Sequence, residues 1–367
     1  MNEFKKFSID QNLIIFFITQ IPIFFQTLFL HPIYFFKTNF LRKFILFPLH
    51  LLLLTYFLFN FKRSLPIKDL PIALHLIIFC LRSLIFSRVN QPYYQLNHKT
   101  GLKVNHDNDS FFKRIQFALS LLVSLRGIGW SHGIPKPKPT DTYYKDTIKR
   151  ILISVSILLF SSISFTFIEH FKLSRYFLTI IIGLSSWSQL ELTGSFLRFI
   201  SYSNFFFDFP IYSKTLNQFW SKRWHSLLKE IFIKLSFYQH FESRWISLIW
   251  SFTLSGLIHE FSMWFASGQF DPYLRTTLFF ISQGFGILLE RKFNLNGTLW
   301  TFFWLTFWGR FMVDAWLERD LVDRRPIEYL DQLFFRLILE QHTALVSFFA
   351  FDILRPLIIR HGREGIA

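Results

Sequence analysis

Residues 245–266 read WISLIWSFTLSGLIHEFSMWFA. A helix needs about 20 mostly apolar residues to cross a bilayer, and this stretch has that length. His259 and Glu260 interrupt it near the middle. An ionisable group in hydrocarbon costs at least ~2.5–3.5 kcal/mol, which makes such a group a functional candidate by default. Ser251, Ser255 and His259 are spaced four apart and share one side of a helix. Gly256 and the serines are small enough to let a second helix or a substrate come close to the imidazole.

Apolar runs of the same kind extend in both directions from this one. They are Leu13–Leu30, Phe44–Phe61, Leu70–Phe86, Ile151–Ile168, Tyr176–Phe199, Tyr273–Leu289 and Thr298–Ala315, with a weaker one at Thr343–Ile359. None alternates with a period of two, so helices are expected and a membrane barrel is not. The expected fold is an all-α polytopic membrane protein of roughly eight or nine spans in a single integral membrane domain, residues 1–367. MNEFKKF followed by an apolar run reads as a signal anchor, too long for the apolar core of a cleaved signal.

Composition agrees with this reading. Of 367 residues, 51% are hydrophobic, 52 are Phe and only 17% are charged, against roughly 25% charged in soluble domains. Such a chain is not disordered, and Cys80, its single cysteine, excludes an intrachain disulfide. The net charge of +16 sits in pairs between apolar runs, such as Arg42-Lys43, Lys62-Arg63 and Arg291-Lys292. That placement suits lipid headgroups and not nucleic acid. No metal-ligand spacing, Walker loop, GxSxG elbow or dinucleotide glycine pattern is present.

The second polar feature is Asn217–Glu230, NQFWSKRWHSLLKE. As a helix it carries Leu216, Trp220, Trp224, Leu227 and Ile231 on one stripe, which predicts an amphipathic interfacial helix before the histidine helix. That role leaves His225 unexplained. Pro210 and the run before it predict a break in the chain ahead of this helix. Glu191 and Gln189 are expected to line a cavity or, the favoured reading, to pair with polar groups of another helix, His75 and Arg82 to snorkel from a helix end, and Arg310 with Asp314 to form a helical pair. Taken alone, His259 reads equally as a general base, whose ordinary pKa near 6.5 suits proton transfer, or as a packed histidine bonded to a neighbouring carbonyl or to Glu260.

Several blocks together resemble one family. PIYSKTLNQFWSKRWH, from Pro210 to His225, looks like the P-x-x-S-x-S-L-x-x-F-W-x-R-R-W-H block of the wax synthase branch of the membrane-bound O-acyltransferases, in its fungal form. Ser255-Gly-Leu-Ile-His259-Glu260 is similar to its S-G-x-x-H-E block, and Arg126-Gly-Ile-Gly-Trp130 to an R-G-x-G-W block. Gln283-Gly284, with Glu290, resembles a Q-G-x-x-x-x-x-E element. Two positions depart from the pattern: Lys222 stands where Arg is commoner, and Thr215 where Ser is.

The resemblance covers an acyltransferase core at 125–290. It implies a multi-helix fold with a tunnel, in the endoplasmic reticulum membrane, moving an acyl group from acyl-CoA to a long-chain alcohol, sterol or terpenoid hydroxyl. It implies His259 and His225 as catalytic residues, with Trp220, Arg223, Trp224, Ser255 and Glu260 around the substrates. Acyl-CoA would be a co-substrate, with no resident cofactor and no metal. His259 would take the alcohol proton, and Lys222 and Arg223, with the Lys136/Lys138 loop, would attract coenzyme A phosphates. His225, Trp220, Trp224 or Ser255 would face the oxyanion. A transporter or a non-catalytic membrane protein is the rival reading.

Overall fold

The computed structural model describes residues 11–63, 66–97, 100–124, 127, 129–133, 142–170, 174–201, 207–224, 229–235 and 243–322. Among them the structure is helical, with two isolated bridges, Gln95 to Trp130 and Leu96 to Lys103, around the α4–α5 connection. In chain order the helices are α1 (Gln11–Phe29), α2 (Pro32–Phe35), α3 (Phe47–Asn60), α4 (Pro66–Arg88), α5 (Phe111–Val123) and α6 (Tyr143–His170). There follow α7 (Arg175–Ser201), α8 (Leu216–Gln218), α9 (Lys229–Leu235), α10 (Arg244–Ser267), α11 (Arg275–Phe293) and α12 (Thr298–Glu318).

Every apolar run up to Thr298–Ala315 falls on one long helix. Thr343–Ile359 lies outside the described residues. Leu41–Asn60, Asp69–Arg88 and Tyr143–Phe165 are long and apolar enough to cross a membrane. Ile14–Phe29 with Pro32–Thr38 makes a fourth candidate, bent by 98°. The bend has a local cause. His31 caps α2, its Nδ1 accepting the Ile33 N–H at 3.3 Å, and Pro32 opens the helix where no backbone donor is needed. Helices α7, α10, α11 and α12 carry polar and charged residues and fall below that measure of apolarity.

Several charged groups in these helices are paired, as low dielectric favours. Glu191 of α7 meets Arg150 of α6 at 3.0 Å, and Arg310 meets Asp314 at 3.4 Å. Arg82 and His75 depart from the snorkelling expectation. Both are buried, 4% and 7% exposed. Arg82 donates to the Leu121 and Leu122 carbonyls at the end of α5, and His75 stacks on Phe79 with centroids 4.2 Å apart. The end carbonyls of α5 lack partners within their own helix, so a buried guanidinium serves them better than water would. The core behind this contact gathers Ile23, Phe86, Phe117, Leu121 and Trp130.

The amphipathic helix predicted over Asn217–Glu230 is broken. α8 passes into a π-helical turn, Phe219–Arg223, and ends at Trp224, whose backbone is extended at ψ 153°. The Trp224 N–H donates to the Phe219 carbonyl at 2.6 Å, closing the wide turn. Arg223 folds back instead of continuing the helix. Its guanidinium donates to the carbonyls of Asp208 and Phe209 at 2.6 and 3.3 Å and pairs with the Asp208 carboxylate at 3.3 Å. Phe209 sits at φ 42°, and the 3-10 turn Pro210–Tyr212 follows, so the chain does turn ahead of α8.

Candidate active site

Helices α10 and α11 cross where their residues are small. A methyl group on Gly256 would lie 2.7 Å from the Thr277 Cα, so this contact requires glycine. Three residues on, α10 presents His259. Its Nδ1 lies 2.8 Å from the Ser255 carbonyl oxygen. A carbonyl only accepts, so Nδ1 carries the proton and Nε2 of the neutral ring keeps its lone pair. Among the described residues no hydrogen bond engages Nε2. A histidine so arranged can take a proton at one defined atom.

Aromatic rings lead away from the imidazole. Phe280 of α11 lies against it with centroids 4.6 Å apart. Trp220 meets Phe280 at 5.8 Å and Phe252 at 5.7 Å. Trp224 stacks on Phe219 at 5.2 Å and meets Trp220 at 6.2 Å. The Trp220 indole N–H donates to Gln283 Oε1 at 3.4 Å, and Gln283 is fully buried. Phe280 thus joins Trp220 to His259, and Trp224 extends the same aromatic cluster.

Two candidates face elsewhere. Arg223 is committed to the turn at Asp208 and Phe209. Glu260, next to His259 in sequence, points about 100° round the helix, where its carboxylate meets Arg319 Nη2 at 2.7 Å. Arg319 also reaches Asp271 at 3.3 Å, and Asp271 holds Arg275 at 2.9 Å. Arg275 in turn bonds Glu318. The network ties α10 to the α10–α11 loop and to the end of α12. Burial alone would raise the Asp271 carboxyl, but donors from Arg275 and Tyr273 outweigh it and hold Asp271 below its ordinary value. His225, Arg126, Lys136 and Lys138 lie outside the described residues.

Gln283, Glu290 and Arg319 carry contacts to which the sequence attached no role. For Arg319 a signal existed: a glutamate inside an apolar helix needs a cation, and Arg319 directly follows α12, the helix of the apolar run Thr298–Ala315.

Among the described residues one group has metal-ligand chemistry, His31, His106 and Asp109, with ligand atoms within 4.8 Å of one another. Backbone N–H groups of Ile33 and Gln95 face His31 Nδ1 and His106 Nε2, at 3.3 and 3.5 Å. The opposite nitrogens therefore carry the protons and donate to Asp109 Oδ2, at 3.3 Å from His31 and 2.7 Å from His106. A metal would need both rings in the other tautomer, with N–H facing N–H. The cluster is a hydrogen-bonded clamp between the α1–α2 bend and the loop before α5. Burial would raise the Asp109 carboxyl, yet the two imidazole donors outweigh that and hold it below its ordinary value.

No curated protein and no solved structure matches the chain. The segment that holds the π-turn, both tryptophans and His259 does match a family model. Residues 203–282 match the model described as the membrane bound O-acyl transferase family, and over that stretch the chain is similar to this family of membrane acyltransferases.

Proposed function

We propose that the protein is an acyl-CoA-dependent O-acyltransferase of the wax synthase type, acting in the endoplasmic reticulum membrane on a lipophilic alcohol. The observation that carries this reading is His259. It lies within the matched segment, and its Nδ1–H is bonded to Ser255 so that Nε2 is left to accept a proton.

In the proposed reaction the alcohol approaches Nε2, which takes its proton as the oxygen attacks the thioester carbonyl. The carbon–sulfur bond then breaks, and the proton returns to the departing thiolate to give coenzyme A and the ester. A thioester is already activated, so proximity and general base catalysis suffice without a covalent enzyme intermediate. Trp220 and Phe280 keep water from the base and form an apolar wall for the substrates. Their rings suit a lipophilic acceptor, here a long-chain alcohol, sterol or terpenoid.

The test is esterification by membranes containing the protein or His259→Ala, given acyl-CoAs from acetyl to stearoyl with a panel of such alcohols. Ester formed by the parent and lost in the variant is the expected result. Equal ester from both would refute the role of His259. No ester from the parent with any pair would refute the enzyme reading.

A further inference from the structure

The segment bearing Trp220 is docked onto α11 at two points, two helical turns apart on one face of that helix. The first is Gln283, already described, which takes the Trp220 indole N–H. The second is Glu290, 6% exposed. Its Oε1 accepts the Leu216 N–H at 2.5 Å and the Trp300 indole N–H at 3.0 Å, and its Oε2 accepts the Asn217 N–H at 3.3 Å. Leu216 and Asn217 open α8, and their amides have no partner within the helix. A carboxylate facing the first amides of a helix suits both their hydrogen bonds and their positive dipole end.

The fit between the two points is close. A methyl group on Gly286 would fall 2.4 Å from Leu216 Cδ1 and 2.6 Å from the Trp304 indole nitrogen. Thr215 takes the Gln218 N–H at 2.9 Å, and the Gln218 side chain takes the Lys214 N–H at 2.8 Å. The Lys214 carbonyl accepts the Gly297 N–H at 2.7 Å. Every contact here fixes where the π-turn begins, and four residues after Leu216 that turn delivers Trp220 onto Phe280, the ring against His259.

We propose that Glu290 is a positioning residue for the acyl transfer: it seats α8 on α11 and thereby sets Trp220 against the wall beside His259. The assignment rests on the acyltransferase reading given above. A glutamate that served stability alone would act equally whatever stood at position 220. A positioning glutamate acts through Trp220.

The experiment compares Glu290→Ala, Glu290→Gln, Trp220→Leu and Trp220→Leu/Glu290→Ala in membranes, using an acyl-CoA and alcohol pair that the parent esterifies. Misplacement by about 1 Å costs on the order of tenfold to a hundredfold in rate. Glu290→Ala is expected to lower kcat by about tenfold or more with the acyl-CoA KM within about twofold of the parent. Glu290→Gln keeps one oxygen for Leu216 and Trp300 and is expected to recover most of that loss. On the Trp220→Leu background Glu290→Ala is expected to add less than about twofold, because coupled sites are not additive.

An unchanged kcat in Glu290→Ala would overturn the proposal. So would an equal loss on both backgrounds, or a Gln variant no better than Ala. If Glu290→Ala does not accumulate in membranes, the Gln variant decides by the same cycle, with a smaller loss expected that again vanishes on the Trp220→Leu background. Hydrogen exchange of residues 213–224 in detergent gives a readout that needs no activity. Exchange at Leu216 and Asn217 is expected to quicken in Glu290→Ala, and at Asn217 alone in Glu290→Gln, while α10 is unchanged. No such change would refute the docking even if the parent formed no ester, and the absence of ester would refute only the acyltransferase reading.

Discussion

Two histidine settings in this molecule look alike in composition and differ in what they leave available. In the clamp, His31 and His106 spend both ring nitrogens, one on a backbone N–H and the other on Asp109. His259 spends one nitrogen on its own helix and keeps the other. The first setting gathers two histidines and an aspartate, the usual mark of a site, and uses them to join segments. The second is a histidine with no carboxylate partner among the described residues. A lone pair left open at a defined atom, and not the density of ionisable groups, is what the proposed base has and the fastener lacks.

Exchanging the settings in an experiment should separate them. The largest effect is expected from His259→Ala. Ester formation should fall by about 10²–10⁴-fold, the usual weight of a general base, with the melting temperature in detergent nearly unchanged. Loss of folding in step with activity would move His259 into the fastener class. Arg319→Met comes next. It strands the buried Glu260 carboxylate, and removing one partner of a buried pair costs about 3–5 kcal/mol. Thermal unfolding should show that loss, and Glu260→Gln in the same chain should recover part of it. If Arg319→Met instead left stability intact and abolished activity, Glu260 would belong with His259.

Smaller effects should come from packing and from the clamp. Gly256→Ala forces α10 from Thr277 and should cost about 1–3 kcal/mol, typical of overpacking, lowering activity together with stability. Asp109→Asn removes the acceptor shared by two imidazoles and should cost about 1–3 kcal/mol while ester formation per folded molecule stays near that of the parent. The Asp109 carboxyl is depressed in the folded state, so its stabilisation is present above its unfolded value of 3.8 and is lost as pH falls below it. Melting of the parent should therefore decline more steeply below about pH 4 than melting of Asp109→Asn. Identical acid limbs would show that the clamp carries no such charge.

The helices were legible in the sequence because apolar length is a local property. Each run needs only its own residues, and the two near the middle of residues 245–266 that are neither apolar nor small, His259 and Glu260, announce themselves. The break at Trp224 was not legible. The stripe Leu216, Trp220, Trp224, Leu227 and Ile231 fits an unbroken helix, and the tie that folds Arg223 back is to Asp208, fifteen residues earlier. Arg82 was misread for the same reason. Its partners are carbonyls of another helix, and backbone acceptors leave no trace in side-chain spacing. Glu260 stands beside His259 in the resembling motif, and its carboxylate faces Arg319. Adjacency in sequence suggested partnership with His259, whereas helical geometry sends neighbours apart and gives Glu260 to Arg319.

The hydrogen bond from His259 to the Ser255 carbonyl has a consequence for the lifetime of a captured proton. A carboxylate behind an imidazole would stabilise the imidazolium and let it persist, but a neutral carbonyl offers only a dipole, and Glu260, the acid next to His259 in sequence, is spent on Arg319. A charged ring in such surroundings is a costly, fleeting carrier that favours release as soon as an acceptor appears. Chemistry that frees a strong acceptor within the same encounter would suit the proposed base, and a departing thiolate would be such an acceptor.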